Sequence, residues 1–252
     1  MRAAGASSVN ILDAGCGPGT WLRRLVSRAK ALGFEHVVAR GFDVAEAQIE
    51  TARLAACDVE GLPGVNLAFG VGDLVAPLPE ASGSVDLALC LYSVLSHLPV
   101  ADLSRVAGEL ARVTRGHFIT TVRPVGSVPS VFIDSIERAR HFQLDHARDR
   151  CTVELCDGRR FTLPIHLFGA AELRDCFAER FFIEDLRGLD LFHSRFAPDS
   201  RWNPASLPAD APSSARLVLL EKAYSRAPGF MERATHLLLV GRPRHASPSK
   251  LT

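Results

Sequence analysis

The chain has 252 residues, 47% of them apolar, with 29 Lys and Arg against 28 Asp and Glu for a formal net charge of +1. That length builds one sizeable core, or one core with an inserted cap, and a balanced charge without a long basic run gives no electrostatic footprint for a nucleic-acid backbone. No uninterrupted apolar run approaches the ~18 residues of a membrane span, and Met1–Ser8 has no apolar targeting core.

Val9–Leu12 reads as a short apolar strand that ends in an acid, Asp13. Gly15, Gly17 and Gly19 follow, and a helical pattern (Leu22, Leu25, Val26, Ala29, Leu32) starts at once and stops at Gly33. Glycines at this spacing let the backbone approach a ligand closely, and the helix start offers free N–H groups to an anionic group. The dinucleotide fingerprint needs a further glycine three residues after Gly17, where this chain has Thr20. A second strand, Val37–Asp43, also ends in an acid, and Ala45, Ile49, Ala52 and Ala56 form the stripe of the next helix. Val65–Phe69 reads as a third strand and leads to Gly72-Asp73-Leu74. The fourth spans Ser84–Cys90 and turns through Leu91-Tyr92-Ser93 towards His97-Leu98-Pro99. Pro99 suits the first turn of a helix carrying Leu103, Val106, Ala107, Leu110 and Val113, and Gly116–Val122 is the fifth strand.

After Arg123 the pattern changes. A helical stretch is expected from about Val131 to Phe142, followed by two alternating strands around Asp157-Gly158, a hairpin signal. A helix over Ala170–Arg180, a strand over Phe181–Phe192, a helix over Arg216–Tyr224 and a last strand at His236–Gly241 complete the core elements. The expected organisation is one domain over 1–252, with an inserted cap at 125–168, a second insertion at 193–233 and a frayed tail at 242–252. The six cysteines are scattered; Cys151 and Cys156 are read on opposite faces of one strand, which argues against a zinc pair and for reduced thiols in the cytoplasm.

Each acid has a plain structural reading, as a turn buttress (Asp13), a helix N-cap (Asp43) or a turn residue (Asp73). Together, in this order, the four features resemble the class I S-adenosylmethionine-dependent methyltransferases, of the small-molecule, UbiE-like type. The resemblance implies an α/β, Rossmann-like sheet of seven strands, mostly parallel, in the order 3-2-1-4-5-7-6. The last strand is antiparallel, helices cover both faces, and the inserted cap with its hairpin adds to this plan. It implies S-adenosylmethionine as cofactor. Asp13, Gly15, Cys16, Gly17 and Gly19 would surround its methionyl part, Asp43 and Val44 its ribose, and Gly72, Asp73 and Leu74 its adenine, with Leu91 and Tyr92 beside them.

The expected reaction is in-line methyl transfer to O, N or C of a small organic acceptor. His97 is the candidate general base, because imidazole titrates near neutral pH. Tyr92, Arg123 and His166 are candidate substrate contacts, with core packing, surface pairing and helix capping as their respective structural alternatives. No acidic cluster with metal-ligand spacing follows the fourth strand, so no metal is expected. The expected partner is a small molecule, with no nucleic acid or membrane, acting on a monomer or homodimer. The rival functions are a non-catalytic cofactor-binding scaffold and an RNA- or protein-directed methyltransferase.

Overall fold

A computed structural model describes residues 5–127, 139–192 and 212–244. Strands β1 (Ser8–Ala14), β2 (His36–Asp43), β3 (Val65–Val71), β4 (Val85–Cys90) and β5 (Thr114–Val122) alternate with helices α1 (Thr20–Ala31), α2 (Glu46–Ala55), α3 (Cys57–Glu60) and α4 (Leu103–Val113). An inserted segment holds β6 (Ala139–Asp145), β7 (Arg150–Leu155) and β8 (Arg160–Pro164). Beyond it come α5 (Ala170–Ala178), β9 (Phe181–Leu189), α6 (Pro212–Tyr224), α7 (Pro228–Met231) and β10 (His236–Pro243).

The main sheet has seven strands in the order β3-β2-β1-β4-β5-β10-β9. Counted within that sheet this is 3-2-1-4-5-7-6, and β10 is antiparallel to both β5 and β9. The Rossmann-like architecture expected from the sequence is the one observed. β1 pairs in parallel with β2 on one side and β4 on the other, so the strand order reverses at the carboxyl end of β1. Ligands of open α/β sheets bind at such a reversal.

Strand alternation divides the sheet between two cores. Leu12 and Ala14 of β1 pack in the cluster that holds Leu110 of α4, Phe118 of β5 and Phe177 of α5. Val9 and Ile11 face the other cluster, with Leu22 and Val26 of α1 and Ile49 and Ala52 of α2. Each fully buried Val, Leu, Ile or Phe among these contributes about 1.5–3 kcal/mol over its exposed state. Asp13 shares the face of Val9 and Ile11, so the strand pattern itself puts a carboxyl in an apolar position.

The insert corrects several expectations. It is a three-stranded antiparallel sheet, β6-β7-β8, rather than a hairpin alone. Residues 139–142, read as the end of a helix, are strand; residues 131–138 lie outside the described residues. Phe142 and Leu144 alternate onto the cluster around Val153 and Leu155, and this non-local pairing outweighs local helical spacing. The β7–β8 turn is longer than the two residues expected. Gly158 N–H donates to the Leu155 carbonyl (3.0 Å) and Leu155 N–H to that of Arg159 (2.8 Å), with Gly158 at φ +85°. Cys151 is buried on β7 while Cys156 is exposed in this turn, so the two do not share a strand, and none of the six cysteines forms a disulfide. Of the second insertion, α6 begins earlier than its apolar pattern, at Pro212; residues 193–211, with His193, lie outside the described residues, as does the tail from 245.

The insert is fastened at its base. Phe168 N–H donates to the Arg123 carbonyl (2.8 Å) and Val125 N–H to that of Phe168 (3.1 Å), closing its two ends. His166 lies between two carboxylates, Nδ1 2.9 Å from Asp149 Oδ1 and Nε2 2.6 Å from Glu172 Oε1. With an acceptor-only group at each nitrogen, the imidazolium is the form that satisfies both. Burial works against that charge, yet the hydrogen bonds to Asp149 and Glu172 outweigh it and raise the pKa. A raised histidine stabilises most below its unfolded value and loses that contribution as pH rises through the folded one. Hydrogen exchange in residues 139–164 should therefore quicken as pH rises above the ordinary imidazole range, after correction for intrinsic exchange. In His166→Ala that step should be absent; its persistence would remove His166 from the fastening.

Candidate functional site

The glycine loop lies against the end of β2. Gly15 and Cys16 N–H groups both donate to the Phe42 carbonyl (2.8 and 2.9 Å), and Gly17 N–H donates to Asp43 Oδ2 (2.9 Å). Gly15, Gly17 and Gly19 all have positive φ, +74°, +52° and +72°, a region that side chains with a Cβ avoid. A Cβ on Gly15 would sit 2.4 Å from Val94 Cγ2, whereas one on Gly17 meets nothing within 4 Å. The backbone at Gly17 is thus open to an approaching group. Cys16 is buried, which pushes its thiol up to about 12 and keeps it neutral.

Beside this loop is a cleft of about 450 Å³ lined by Gly15, Phe42, Asp43, Val44, Gly72, Asp73, Leu74, Val75, Val94, His97, Leu98 and Pro99. That volume is in the range of small-molecule sites. Apolar walls with two carboxylates at the rim suit a nucleoside, a flat base joined to a sugar with paired hydroxyls. Asp43 Oδ1 also accepts from Ala45 N–H (3.0 Å) and Asp73 Oδ1 from Val75 N–H (3.0 Å), so both carboxylates are oriented by their own turns. Asp43 is not the N-cap of α2, which is Ala45 and has no side-chain cap, because its carboxylate holds the turn before the helix instead; the turn reading of Asp73 stands, and neither arrangement conflicts with the site readings.

Asp13, the penultimate residue of β1, directly precedes the loop and is 2% exposed. No hydrogen bond or ion pair reaches its carboxyl among the described residues. Burial, and then the charge of Asp43, push its pKa up to about 7. A buried carboxyl left without a donor is costly, and a ligand ammonium is the chemical complement it lacks. The glycine cradle, the paired rim acids and this carboxyl together fit an adenosyl amino acid.

The structure brings Gly15, Asp43, Val44, Gly72, Asp73, Leu74 and His97 to one cleft. Asp13, Cys16, Gly17 and Gly19 adjoin it before or along the glycine loop, without lining it. Leu91, Tyr92, Arg123 and His166 are not among its lining residues. His97 Nδ1 is 2.9 Å from the Pro164 carbonyl of β8; a carbonyl only accepts, so in the neutral ring Nδ1 carries the hydrogen and Nε2 is basic. Arg123 directly follows β5, as the sequence suggested, but is not on the surface: it is 4% exposed under the insert, where burial lowers its pKa. Its backbone N–H donates to Ser96 Oγ (3.2 Å). His166, anchored between Asp149 and Glu172, has a structural role. Phe42, Val75, Val94, Leu98 and Pro99 were not singled out from the sequence. Val94 had a signal, since it follows the fourth strand on the turn that carries Tyr92, while Phe42 and Val75 look like any apolar neighbour of an acid. Among the described residues, no group of three or more His, Cys, Asp or Glu is placed to hold a metal ion, and no helix is long and apolar enough to cross a membrane.

Residues 11–117 match the family model of the methyltransferase domain. The fold is similar to the PH0226 protein of Pyrococcus horikoshii, at 17% identity over 93% of this chain and 82% of that one, with a TM-score of 0.58. A S-adenosylmethionine-dependent methyltransferase of Methanosarcina mazei gives 17% identity, coverage of 93% and 92%, and a TM-score of 0.57. Another from Clostridium acetobutylicum gives 12% identity, coverage of 94% and 84%, and a TM-score of 0.56. No curated protein matches the sequence. Residues 11–117 are thus similar to a methyltransferase domain, and the fold is similar to that of S-adenosylmethionine-dependent methyltransferases. S-adenosylmethionine is accordingly its expected cofactor, and methyl transfer the activity that the domain supports.

Proposed function

We propose that this protein methylates O, N or C of a small organic molecule, held between the carboxyl edge of the main sheet and the β6–β8 insert. The observation that carries the reading is the convergence of Gly15, Asp43 and Asp73 on one cleft at the reversal of strand order. In this reading Asp43 holds the ribose hydroxyls, Gly72-Asp73-Leu74 the adenine, and Asp13 with the Gly15–Gly19 loop the methionyl end. When bound, the cofactor supplies a sulfonium methyl group, already a strong electrophile. The protein's main task is then alignment, which can supply about 7–11 kcal/mol in favourable cases. His97 Nε2 accepts the proton of an acceptor that must lose one, a role typically contributing about 10²–10⁴-fold.

Near-neutral net charge supports a small acceptor over RNA, and six scattered cysteines without a disulfide among them support a reducing, cytoplasmic setting. We infer a monomer or homodimer working without a macromolecular partner. The test is to incubate the protein with methyl-labelled cofactor and a cell extract, then separate small molecules, protein and RNA. Label is expected in the small-molecule fraction, reduced about 10²-fold or more in His97→Gln if a base is used. Label in RNA or protein, or none anywhere, would overturn the reading.

A further inference from the structure

Trp21, Tyr92 and His236 form a row of rings along the carboxyl edge of the main sheet. Trp21 is in the first turn of α1, next to the glycine loop; Tyr92 follows β4; His236 begins β10. The Tyr92 ring is 6.3 Å from Trp21 at 35° and 5.8 Å from His236 at 80°. Tyr92 is 61% exposed, so much of this central ring is open.

The backbone beneath it is unusual. Tyr92 and Ser93 have φ of +54° and +66°, where glycine is the ordinary occupant. Tyr92 N–H donates to Thr121 Oγ1 (2.7 Å) and Ser93 N–H to the Thr121 carbonyl (3.0 Å), which holds the turn in that form. Ser93 Oγ is buried and has no hydrogen-bond partner among the described residues. A glycine at residue 92 would relieve strain, and a tyrosine there displays a ring at the point where the chain enters the cleft wall at Val94. Burial, and then the charge of Arg123, hold His236 at about 4, so its ring is neutral at physiological pH. Arg24 lies over Trp21, its guanidinium carbon 5.4 Å from the ring centroid. The open middle of the row is therefore uncharged and aromatic.

We propose that this row is the acceptor platform, and that the acceptor carries a planar aromatic ring which packs against Tyr92. This rests on the methyltransferase reading, which places the acceptor beside the cofactor cleft. Offset or edge-to-face contacts with Tyr92 and its neighbours select a flat π-system over a saturated ring of equal size.

The test is calorimetric titration of the full chain, saturated with S-adenosylhomocysteine, using 2-naphthol and decahydro-2-naphthol as matched probes. 2-Naphthol should bind about three- to tenfold more tightly. Tyr92→Phe should keep that preference and Tyr92→Leu should lose it, each measured at saturating S-adenosylhomocysteine. Equal binding of the two probes, or a preference that survives Tyr92→Leu, would overturn the platform. Failure of S-adenosylhomocysteine to bind would overturn the methyltransferase reading instead, and the probe comparison on the unliganded chain would still decide the platform.

Discussion

Asp13→Asn is expected to stabilise the fold above pH 7 while weakening cofactor binding. In the folded protein burial, then Asp43, hold the Asp13 carboxyl at about 7, against an ordinary value of 3.8. The unfolded chain releases that proton near pH 4 and the folded protein only near 7, so stability falls as pH rises across that interval. At about 1.36 kcal/mol per unit, roughly three units set an upper bound near 4 kcal/mol, and relaxation brings the expected gain to about 2–4 kcal/mol. Asn keeps the shape without the charge and should remove this slope. Denaturant unfolding at pH 5 and pH 8 measures it: the variant's advantage over the wild type should be smaller at the lower pH and grow towards the higher. Binding should move the other way. Affinity for S-adenosylhomocysteine should rise in the wild type as pH passes 7 and the carboxylate forms, and should be at least about tenfold weaker in Asp13→Asn at pH 8. Stability gained with affinity unchanged would make Asp13 a buried misfit and not part of the site.

Gly15→Ala should have the opposite signature, losing stability and affinity together. At φ +74° a Cβ is strained wherever it points, at about 1–2 kcal/mol, and here it also meets Val94 Cγ2 at 2.4 Å. Val94 is branched at Cβ and cannot swing aside freely, and it lines the cleft, so the clash passes into the site. A loss of about 2–4 kcal/mol in unfolding free energy is expected. The pair Gly15→Ala with Val94→Ala separates the two contributions. Truncating Val94 should recover most of the binding and of the steric part, since only its Cβ then remains, 3.1 Å from the new one, and should leave the backbone strain of about 1–2 kcal/mol in place. If Gly15→Ala binds S-adenosylhomocysteine as tightly as wild type, the loop does not shape the cleft.

The main sheet was readable because its information is local. β1 and β2 each end in an acid at a turn, α1 and α4 carry apolar residues at helical spacing, and glycine marks the bend between β1 and α1. The rim of the cleft was readable for the same reason, since Asp43, Gly72 and Asp73 stand at strand ends. The insert was not, because β6 exists through its pairing with β7: Phe142 and Leu144 gain their face only once Val153 and Leu155 are beneath them. Arg123 and His166 looked exposed in one dimension, and only the folding back of the insert buries the first and places Asp149 and Glu172 around the second. The ring of Tyr92 is unusual through a backbone angle that no residue pattern announced.

The adenosyl site is the foundation of these expectations, and binding isotherms of the purified protein test it directly. Titration with S-adenosylhomocysteine should give saturable binding at one site per chain, weakened about 10- to 150-fold in Asp43→Ala as its charged hydrogen bonds are lost. No response to S-adenosylhomocysteine, with saturable uptake of a nicotinamide or flavin nucleotide instead, would contradict the account.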